Sequence, residues 1–406
     1  MNELSRKNCQ ICKSKNLQDI IDLGMHPFAD KFIKESDKYL DEKIFPLVVC
    51  LCQKCGNIQQ KIITTPESRY SDAEYSYTSS NSNYSRSYWK NFAQHIGKIK
   101  TGIDLKILEI GSNDGYLLSV LKKFNQFVLG IDPSPAMNRL AKKRGIISIQ
   151  DIFCLKSANK IKKKYKKFDI VIANNVLNHS NEPINFFKGL KKILKKDGLF
   201  VTENPYWLDT IANGFFDQIY HEHVSYFTIK SMLKICKINN LYIYDIIKTD
   251  YHGSSIKIII GFDKKNETKN KINQFIKREE NKKIFDPSFY KGLMKKINYK
   301  KLKFMKKIIN LKIRSKKIIC VGASAKGNTF LNFYGLNFNF IDFVTDLSPK
   351  KIGKITPLSR IPIKSDNEIS GIANPYIILT AWNLSNTLKK KIKKINSNFK
   401  MLNPFK

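Results

Sequence analysis

Between residues 105 and 203, short apolar runs alternate with segments in which apolar residues recur every three or four positions. The runs predict β-strands at 105–110, 127–131, 146–150, 168–173 and 199–203, and the intervening segments predict helices at 116–124, 135–144 and 183–196. The run at 168–173 is apolar almost throughout, as expected of a central strand covered on both faces. This alternation indicates an α/β fold with a doubly wound parallel sheet.

The pattern changes after residue 240. Apolar runs at 241–247 and 255–262 follow each other without a full helix between them, which predicts an antiparallel pair that closes the sheet. Residues 263–317 are rich in lysine and helical in pattern, so we expect a pair of solvated connecting helices. A second, shorter series of strands at 317–321, 340–346 and 376–379 indicates a small C-terminal Rossmann-like α/β domain.

Five of the eight cysteines lie within the first 55 residues, and four of them form two C-x-x-C pairs. This spacing lets one turn present two sulfurs to an ion, and two such turns complete a tetrahedral zinc site. We therefore expect a structural Zn²⁺ ion held by Cys9, Cys12, Cys52 and Cys55. The 39 residues between the pairs must form a small subdomain. A pair of buried cysteines or a redox C-x-x-C is the alternative; Cys50 is interpreted as a free thiol and His26 as a loop residue.

A glycine-containing loop joins the first predicted strand to its helix and reads Glu109-Ile110-Gly111-Ser112-Asn113-Asp114-Gly115. Glycines let the backbone approach a ligand, and the N-terminus of a helix is electropositive. The loop lacks the G-x-G-x-x-G of dinucleotide sites and resembles the E/D-x-G-x-x-x-G loop of class I S-adenosylmethionine (SAM) methyltransferases. Asp132 ends the next strand, where a carboxylate can accept both ribose hydroxyls, and Asp151 follows the third, near the expected adenine. The expected cofactor-binding residues are Glu109, Gly111, Ser112, Asn113, Gly115, Asp132, Asp151 and Asn174.

The formal net charge of +38 suits a nucleic-acid ligand, but the composition argues against one. Only 8 of the 72 basic residues are arginine, the residue that nucleic-acid surfaces use for bidentate and stacking contacts. A positive cleft for a smaller phosphorylated substrate fits equally well. No apolar run approaches the roughly 18–20 residues of a membrane span, and the N-terminus lacks the apolar core of a signal peptide. We therefore expect a cytoplasmic protein without a nucleic-acid or membrane partner; the sequence leaves the oligomeric state open.

Several further motifs accompany the cysteine pairs and the glycine loop. They are Leu23-Gly24-x-x-Pro27, Pro46-Leu47, Tyr75-Ser76-Tyr77-Thr78-Ser79-Ser80, Tyr220-His221-Glu222-His223-Val224-Ser225-Tyr226-Phe227, His252-Gly253-Ser254-Ser255, Gly322-Ala323-Ser324-Ala325-Lys326-Gly327-Asn328-Thr329 and Ala381-Trp382-Asn383. With them, nearly the whole chain resembles the sugar C-methyltransferases that act on keto sugar nucleotides in deoxysugar biosynthesis. The resemblance implies a zinc-binding domain at 1–70, a class I SAM methyltransferase domain at 71–263, a helical connector at 264–315 and a Rossmann-like substrate domain at 316–406.

Methylation of a carbon beside a ketone needs a base that removes the α-proton, and histidine suits this role near neutral pH. The resemblance implies that this base is His223, with Tyr220 and Glu222 nearby to bind and orient the sugar. His179 follows the fourth strand, at the edge where such sheets bind ligands, and is the second candidate. The expected substrate-binding residues are Tyr75, Tyr77, Lys326, Asn328 and Asn383.

These features predict a SAM-dependent C-methyltransferase that acts on C3 of a nucleotide-linked 4-keto deoxysugar. A zinc-containing RNA methyltransferase is an alternative, against which stand the scarcity of arginine and the lack of an aromatic and basic platform. A non-enzymatic, metal-stabilised binding module does not explain a SAM loop beside a His/Glu/Tyr cluster. A sugar O- or N-methyltransferase stays open.

Overall fold

The computed structural model describes residues 4–70, 78–102, 104–124 and 126–405, without the side chains of Glu67, Tyr70, His252 and Asn383. The strands are β1 (Leu4–Ser5), β2 (Leu17–Pro27), β3 (Ile33–Lys34), β4 (Ile44–Cys52), β5 (Ile58–Gln60), β6 (Ile62–Ile63), β7 (Lys106–Ile110), β8 (Phe127–Ile131), β9 (Ser148–Ile149), β10 (Phe168–Asn174), β11 (Leu194–Pro205), β12 (Ser225–Tyr226), β13 (Tyr242–Thr249), β14 (Ser255–Gly261), β15 (Ile318–Val321), β16 (Phe343–Asp346), β17 (Lys354–Ile355), β18 (Ile363–Ser365), β19 (Tyr376–Leu379) and β20 (Lys400–Leu402). The helices are α1 (Pro66–Tyr70), α2 (Asn83–Ile99), α3 (Tyr116–Leu121), α4 (Pro135–Lys143), α5 (Leu155–Tyr165), α6 (Pro183–Ile193), α7 (Trp207–Ala212), α8 (Ile229–Ile238), α9 (Lys269–Asn281), α10 (Pro287–Ile313), α11 (Ala325–Tyr334) and α12 (Ser385–Ile395). None of these helices has both the length and the apolar content that a membrane span requires.

A seven-stranded sheet forms the centre of the molecule, with the order β13-β14-β11-β10-β7-β8-β9. The strands from β11 to β9 are parallel, while β14 pairs antiparallel with both β11 and β13. The predicted parallel sheet and its antiparallel closing pair are confirmed. Because parallel strands end at the same edge, the loops after β7, β8, β10 and β11 gather there, beside the turn between β13 and β14.

The N-terminal part forms a four-stranded antiparallel sheet with the order β12-β5-β4-β2. Three of its strands come from the first 60 residues, but β12 comes from residues 225–226, far along the chain. Ser225 pairs with Gln59 and Tyr226 with Ile58. The segment that contains the predicted base His223 therefore continues directly into the N-terminal sheet.

A parallel sheet with the order β18-β16-β15-β19-β20 forms the C-terminal part and confirms the second α/β unit that the sequence predicts. A short antiparallel pair, β3 with β17, links this part to the N-terminal region. The predicted domain boundaries at residues 70, 263 and 315 stay predictions.

The predicted connecting helices are present as α9 and α10 and are largely exposed to solvent, but each also has a buried face that was not predicted. On α10, Tyr290, Ile297, Phe304 and Ile308 are buried, spaced seven, seven and four residues apart along one face. On α9, Glu279 is fully buried and its carboxylate accepts hydrogen bonds from the backbone N–H groups of the first turn of α8. An abundance of lysine therefore hid a packed apolar stripe.

Two boundaries in the central sheet differ from those predicted. The helix predicted at 183–196 ends at Ile193, because Leu194 adopts extended backbone angles and pairs with Phe168. Leu194 is fully buried, so the strand begins earlier than the apolar run at 199–203 indicates. The strand predicted at 146–150 is limited to the two residues of β9.

Adjacent isoleucines test the packing of α10. Ile308 is fully buried, while Ile309 is 43% exposed. We expect Ile308→Ala to lower the free energy of unfolding by about 2–4 kcal/mol, because it leaves a cavity, and Ile309→Ala to lower it by less than about 1 kcal/mol. Denaturant unfolding measures both, and equal effects would contradict the packing described.

Candidate active site and metal centre

The four predicted zinc ligands converge at one end of the N-terminal sheet. The thiol sulfurs of Cys9, Cys12, Cys52 and Cys55 all lie within 4.8 Å of one another. Cys9 Sγ is 3.6 Å from Cys55 Sγ, and Cys12 Sγ is 3.5 Å from Cys52 Sγ. Sulfurs of a tetrahedral site lie about 3.8 Å apart at a Zn–S distance of about 2.3 Å, so this cluster fits one zinc ion.

The two other candidates for this metal site lie elsewhere. Cys50 belongs to β4, where its thiol donates to the carbonyl oxygen of Gln59 at 3.4 Å, which agrees with its interpretation as a free thiol. His26 lies in strand β2, not in a loop as expected, and its Nε2 donates to the carbonyl oxygen of Leu23 at 3.0 Å. The correction follows from the length of β2, whose irregular register with β4 carries it to Pro27.

The glycine loop after β7 has the conformation that its composition predicts. Gly111 has φ +67°, and a Cβ atom there would lie 2.4 Å from Val176 Cγ2. Gly115 has φ +73° and precedes the first residue of α3. A side chain at either position would be strained in this left-handed region. Close passage of the backbone and the N-terminus of α3 fit the methionine end of a SAM molecule.

Carboxylates surround this loop on two neighbouring strands. Asp132 follows β8 and accepts hydrogen bonds at 2.9 Å from the backbone N–H of Asn113 and of Ser134, so it shapes the loop as well as facing it. Burial raises the pKa of Asp132 to about 6, and it raises the pKa of Glu109 well above its usual value. Glu109 Oε2 and both amide atoms of Asn174 have no hydrogen-bond partner among the described residues, which suits donors of a cofactor.

The two remaining cofactor residues differ in environment. Ser112 is buried, and its hydroxyl lies 3.3 Å from that of Ser148 at the start of β9. Asp151 lies two residues beyond β9 and is half-buried, with Lys160 Nζ 3.6 Å from its carboxylate. Asp114, in the same loop, is buried and accepts from the hydroxyls of Ser79 and Ser80. Sequence reasoning gave Asp114 no role, although its place inside the motif was the available signal.

His223 lies between the 3-10 helix Phe216–Gln218 and β12. Its Nδ1 is 3.0 Å from the carbonyl oxygen of Gln218, and since a carbonyl only accepts, Nδ1 carries the hydrogen. Nε2 lies 2.6 Å from the Tyr220 hydroxyl; in the neutral ring it is the acceptor nitrogen and this hydroxyl donates to it. His223 and Glu222 are both buried.

The second candidate base, His179, packs edge-on against His223 with 4.8 Å between ring centroids. Its Nδ1 donates to the carbonyl oxygen of Glu222 at 2.7 Å. Burial and the nearby Arg69 lower the pKa of His179 to about 3, so its ring is neutral at physiological pH. Glu222 Oε1 accepts from the backbone N–H of Asp30 at 3.1 Å, and burial raises the pKa of this carboxyl to about 7.

His221 faces away from this cluster. Its Nε2 donates to the carbonyl oxygen of His26 at 3.2 Å, and its ring packs edge-on against Phe28 and Phe45. Burial lowers its pKa to about 4. A turn at His221 and Glu222 separates His221 from His223, which an extended chain would place on the same side.

Residues 219–224, between the 3-10 helix and β12, are here termed the histidine loop. The N-terminal sheet holds this loop through buried amides that the sequence analysis missed. Gln60 Nε2 donates to the carbonyl oxygen of Tyr220 at 2.6 Å and to that of His223 at 2.9 Å. Gln10, inside the first C-x-x-C pair, donates to the Ser225 hydroxyl. Two glutamines in short strands or turns carry no periodic signal, so only the folded chain identifies them.

The C-terminal part contacts the same loop and its neighbours. Thr329 donates to the carbonyl oxygen of Ile219, at the start of the loop, at 3.2 Å. Asn328 donates from its amide to the carbonyl oxygen of Ala29 at 2.6 Å, and Trp382 donates to buried Asp217. Lys326 is buried, its Nζ 5.1 Å from the centroid of the Trp382 ring, and burial lowers its pKa to about 8 against the effect of Asp217. The predicted substrate residues Tyr75 and Tyr77 lie outside the described residues, as does the side chain of Asn383.

Family models match the chain in three successive stretches. Residues 9–70 match a "Putative zinc binding domain", residues 81–246 a methyltransferase domain and residues 250–402 a C-methyltransferase C-terminal domain. The C-methyltransferase NovU of Streptomyces niveus is 26% identical over 385 residues, which span 92% of this chain and 89% of that protein. The chain belongs to the SAM-dependent C-methyltransferases with an N-terminal zinc-binding domain.

Other known proteins match smaller parts of this chain. The ubiquinone biosynthesis O-methyltransferase of Pelagibacter ubique is 31% identical over 99 residues, 24% of this chain and 40% of that protein. Magnesium protoporphyrin IX methyltransferase from Synechocystis PCC 6803, solved with bound SAM, is 14% identical and covers 43% of this chain and 78% of its own, with a TM-score of 0.34. The family models and NovU confirm the predicted family, fold class and cofactors, SAM and zinc; the individual site residues stay predictions.

Metal content tests the cysteine cluster. We expect the purified C-methyltransferase to contain one zinc per chain and Cys55→Ser to lose most of it, since three thiolates bind less tightly than four. Cys50→Ser is the matched control and retains the metal, because its sulfur faces Gln59. Elemental analysis decides between them; loss of zinc from the Cys50 variant alone would contradict the assignment.

The pH dependence of stability tests the burial of Glu222. A carboxyl whose pKa rises to about 7 on folding weakens the fold as pH increases through roughly 4.5–7, because the unfolded chain releases its proton first. Glu222→Gln keeps the shape of the side chain but removes the group that ionises. We expect the stability of the variant relative to wild type to increase by about 1–3 kcal/mol between pH 5 and pH 8, measured by denaturant unfolding. A difference independent of pH would contradict the shift.

Proposed function

We propose that this C-methyltransferase transfers the methyl group of SAM to C3 of a nucleotide-linked 4-keto deoxysugar, by way of an enolate. The observation that carries the proposal is the orientation of the His223 ring by its hydrogen bond to Gln218. Its Nδ1–H donates to the Gln218 carbonyl, so Nε2 is the proton acceptor. His223 belongs to the histidine loop, which comes after β11 in the chain. This loop contacts both the N-terminal sheet and the C-terminal part.

His223 removes the proton of C3 at Nε2. The electron pair of the C3–H bond then passes into the neighbouring ketone, which becomes an enolate. A base for this step should have a pKa near the working pH. His179 suits the step less well, because burial lowers its pKa to about 3 and its Nδ1 holds the Glu222 carbonyl.

Tyr220 and Glu222 orient the sugar in this proposal. The Tyr220 hydroxyl occupies Nε2 of His223 at 2.6 Å, so the substrate must replace it there. The displaced hydroxyl then donates to the developing enolate oxygen, which stabilises its charge. Glu222 Oε2 has no hydrogen-bond partner among the described residues and accepts a hydrogen bond from a sugar hydroxyl.

When bound, SAM would supply an electrophilic methyl group to the enolate carbon, and S-adenosylhomocysteine would be the leaving group. Glu109, Asn113 and Asp132 hold this cofactor beside the ends of β7 and β8. Lys326, a buried cation in the first turn of α11, is proposed to bind a phosphate of the nucleotide, as Tyr75 and Tyr77 are to bind the sugar. Asn328 supports the domain contact more than the substrate, since its amide donates to Ala29.

Methyl transfer from labelled SAM tests the substrate class. The arms are dTDP- and GDP-linked 4-keto-6-deoxysugars and bulk tRNA. We expect base-stable label on a keto sugar, and His223→Ala to reduce its rate by about 10²–10⁴-fold through loss of the base. His95→Ala, which removes a histidine from α2 outside the site, is the matched control and stays active. Label on tRNA with the sugars untouched would contradict the proposal.

Hydrogen exchange at the sugar distinguishes carbon methylation from O- or N-methylation. With S-adenosylhomocysteine in deuterated water, we expect wild type to exchange the C3 hydrogen of the substrate and His223→Ala not to do so. Proton NMR of the recovered sugar measures this exchange. An O- or N-methyltransferase uses a heteroatom nucleophile, so retention of the C3 hydrogen together with label on oxygen or nitrogen would overturn the enolate mechanism.

A further inference from the structure

A small cavity borders His223 on the side of the central sheet. Its volume is about 10 Å³, and its lining includes Asn178, Thr210, Gln218, His223, Pro205 and Trp207. Asn178 belongs to the 3-10 helix that follows β10, Thr210 to α7 and Gln218 to the segment before the histidine loop. Three separate elements therefore contribute a polar side chain to one enclosed space, here termed the amide cavity.

Three polar side chains of the amide cavity have no hydrogen-bond partner among the described residues. Asn178, Gln218 and Thr210 are 3%, 2% and 3% exposed. Neither atom of the two side-chain amides, nor the Thr210 hydroxyl, forms a hydrogen bond with any described residue. Buried amides and hydroxyls in folded proteins nearly always have a protein or ordered-water partner. The chemistry of this lining, with both donors and acceptors, fits a ligand that can donate and accept.

The size of the cavity restricts that ligand. A cavity of about 10–15 Å³ accommodates one water molecule, and a buried water makes about three hydrogen bonds. We propose that the amide cavity is a binding site for one structural water, held by Asn178, Gln218 and Thr210, and that this water positions His223 for proton transfer. The positioning role rests on the proposed function of His223 as the base, whereas the water site does not.

Gln218 connects the water to His223. Its backbone carbonyl accepts from His223 Nδ1, while its side chain faces the amide cavity, so a water that fixes Gln218 also fixes the tautomer of the ring. When His223 takes a proton it becomes a buried cation. A water beside the ring stabilises that cation, as buried polar groups do for a charge they face.

Several other titratable groups face His223. Tyr220 donates to its Nε2, and His179 packs against its ring. Tyr226 shares the amide cavity, Glu222 precedes His223 in the chain, and Arg69 donates to the carbonyl of His179. The substitutions below change none of these groups, so a change in the pH profile reports on the cavity.

A crystal structure of the zinc-loaded protein at high resolution is the first test. We expect one ordered water within hydrogen-bond distance of the Asn178 and Gln218 amides in wild type, and none in Asn178→Leu, which is similar in size but apolar. Thr210→Ser should retain the water and Thr210→Val should lose it or show it disordered. A wild-type cavity that is dry, or closed by direct contact of the two amides, would overturn the proposal. This observation needs no reaction, so it stands apart from the methyl-transfer assay.

The pH profile of kcat/KM on the keto sugar is the second test. Asn178→Leu removes a group that stabilises protonated His223, so its acid limb should move down by about half to one pH unit. Asn178→Asp adds a carboxylate, so its limb should move up by a similar amount. Asn239→Leu, a buried amide bonded to the carbonyl of Ile235 on α8, is the control and leaves the limb in place. Two Asn178 variants with unshifted limbs would overturn the positioning role.

Discussion

The pairing of β12 with β5 is the interaction on which the rest of the site depends. Two residues, Ser225 and Tyr226, add a strand from the middle of the chain to the sheet that carries the four thiols. Tyr226 pairs with Ile58, and Ile58 pairs with Leu51, the residue before the zinc ligand Cys52. Gln60 extends the contact with its amide, which binds the carbonyls of Tyr220 and His223. The zinc-binding sheet is thus part of the framework that orients the histidine loop, and not a separate appendage.

The C-terminal part completes this framework from the opposite side. Thr329 donates to the Ile219 carbonyl at 3.2 Å, and Trp382 both donates to Asp217 and stacks on Phe215. The segment 28–32 connects the C-terminal part with the histidine loop. The carbonyl oxygen of Ala29 accepts from Asn328, and the backbone N–H of Asp30 donates to Glu222. The histidine loop therefore takes its conformation from all three parts of the chain, which explains why a segment with so little regular structure is so deeply buried.

Local patterns in the sequence identified the parts of the site that are built from adjacent residues. The C-x-x-C spacing predicted the four convergent thiols. The strand-loop-helix pattern around Gly111 predicted a loop whose backbone can approach a ligand, and the structure adds that Gly111 is left-handed and close to Val176. Contacts between distant residues left no such pattern. Gln60 and Asp30 act through hydrogen bonds to residues more than 150 positions away, and nothing in their neighbourhood distinguishes them. Lysine enrichment obscured α10, where the buried stripe was present but diluted.

Hydrogen–deuterium exchange after zinc removal tests most directly whether the N-terminal sheet holds the histidine loop. The protein is compared with and without bound zinc, and the amides of residues 218–227 are followed by mass spectrometry. We expect faster exchange in this segment and in β5 when zinc is removed. Strands β15 and β19 of the C-terminal sheet serve as an internal reference, and their exchange should not change. Unchanged exchange at 218–227 after complete loss of zinc would contradict it.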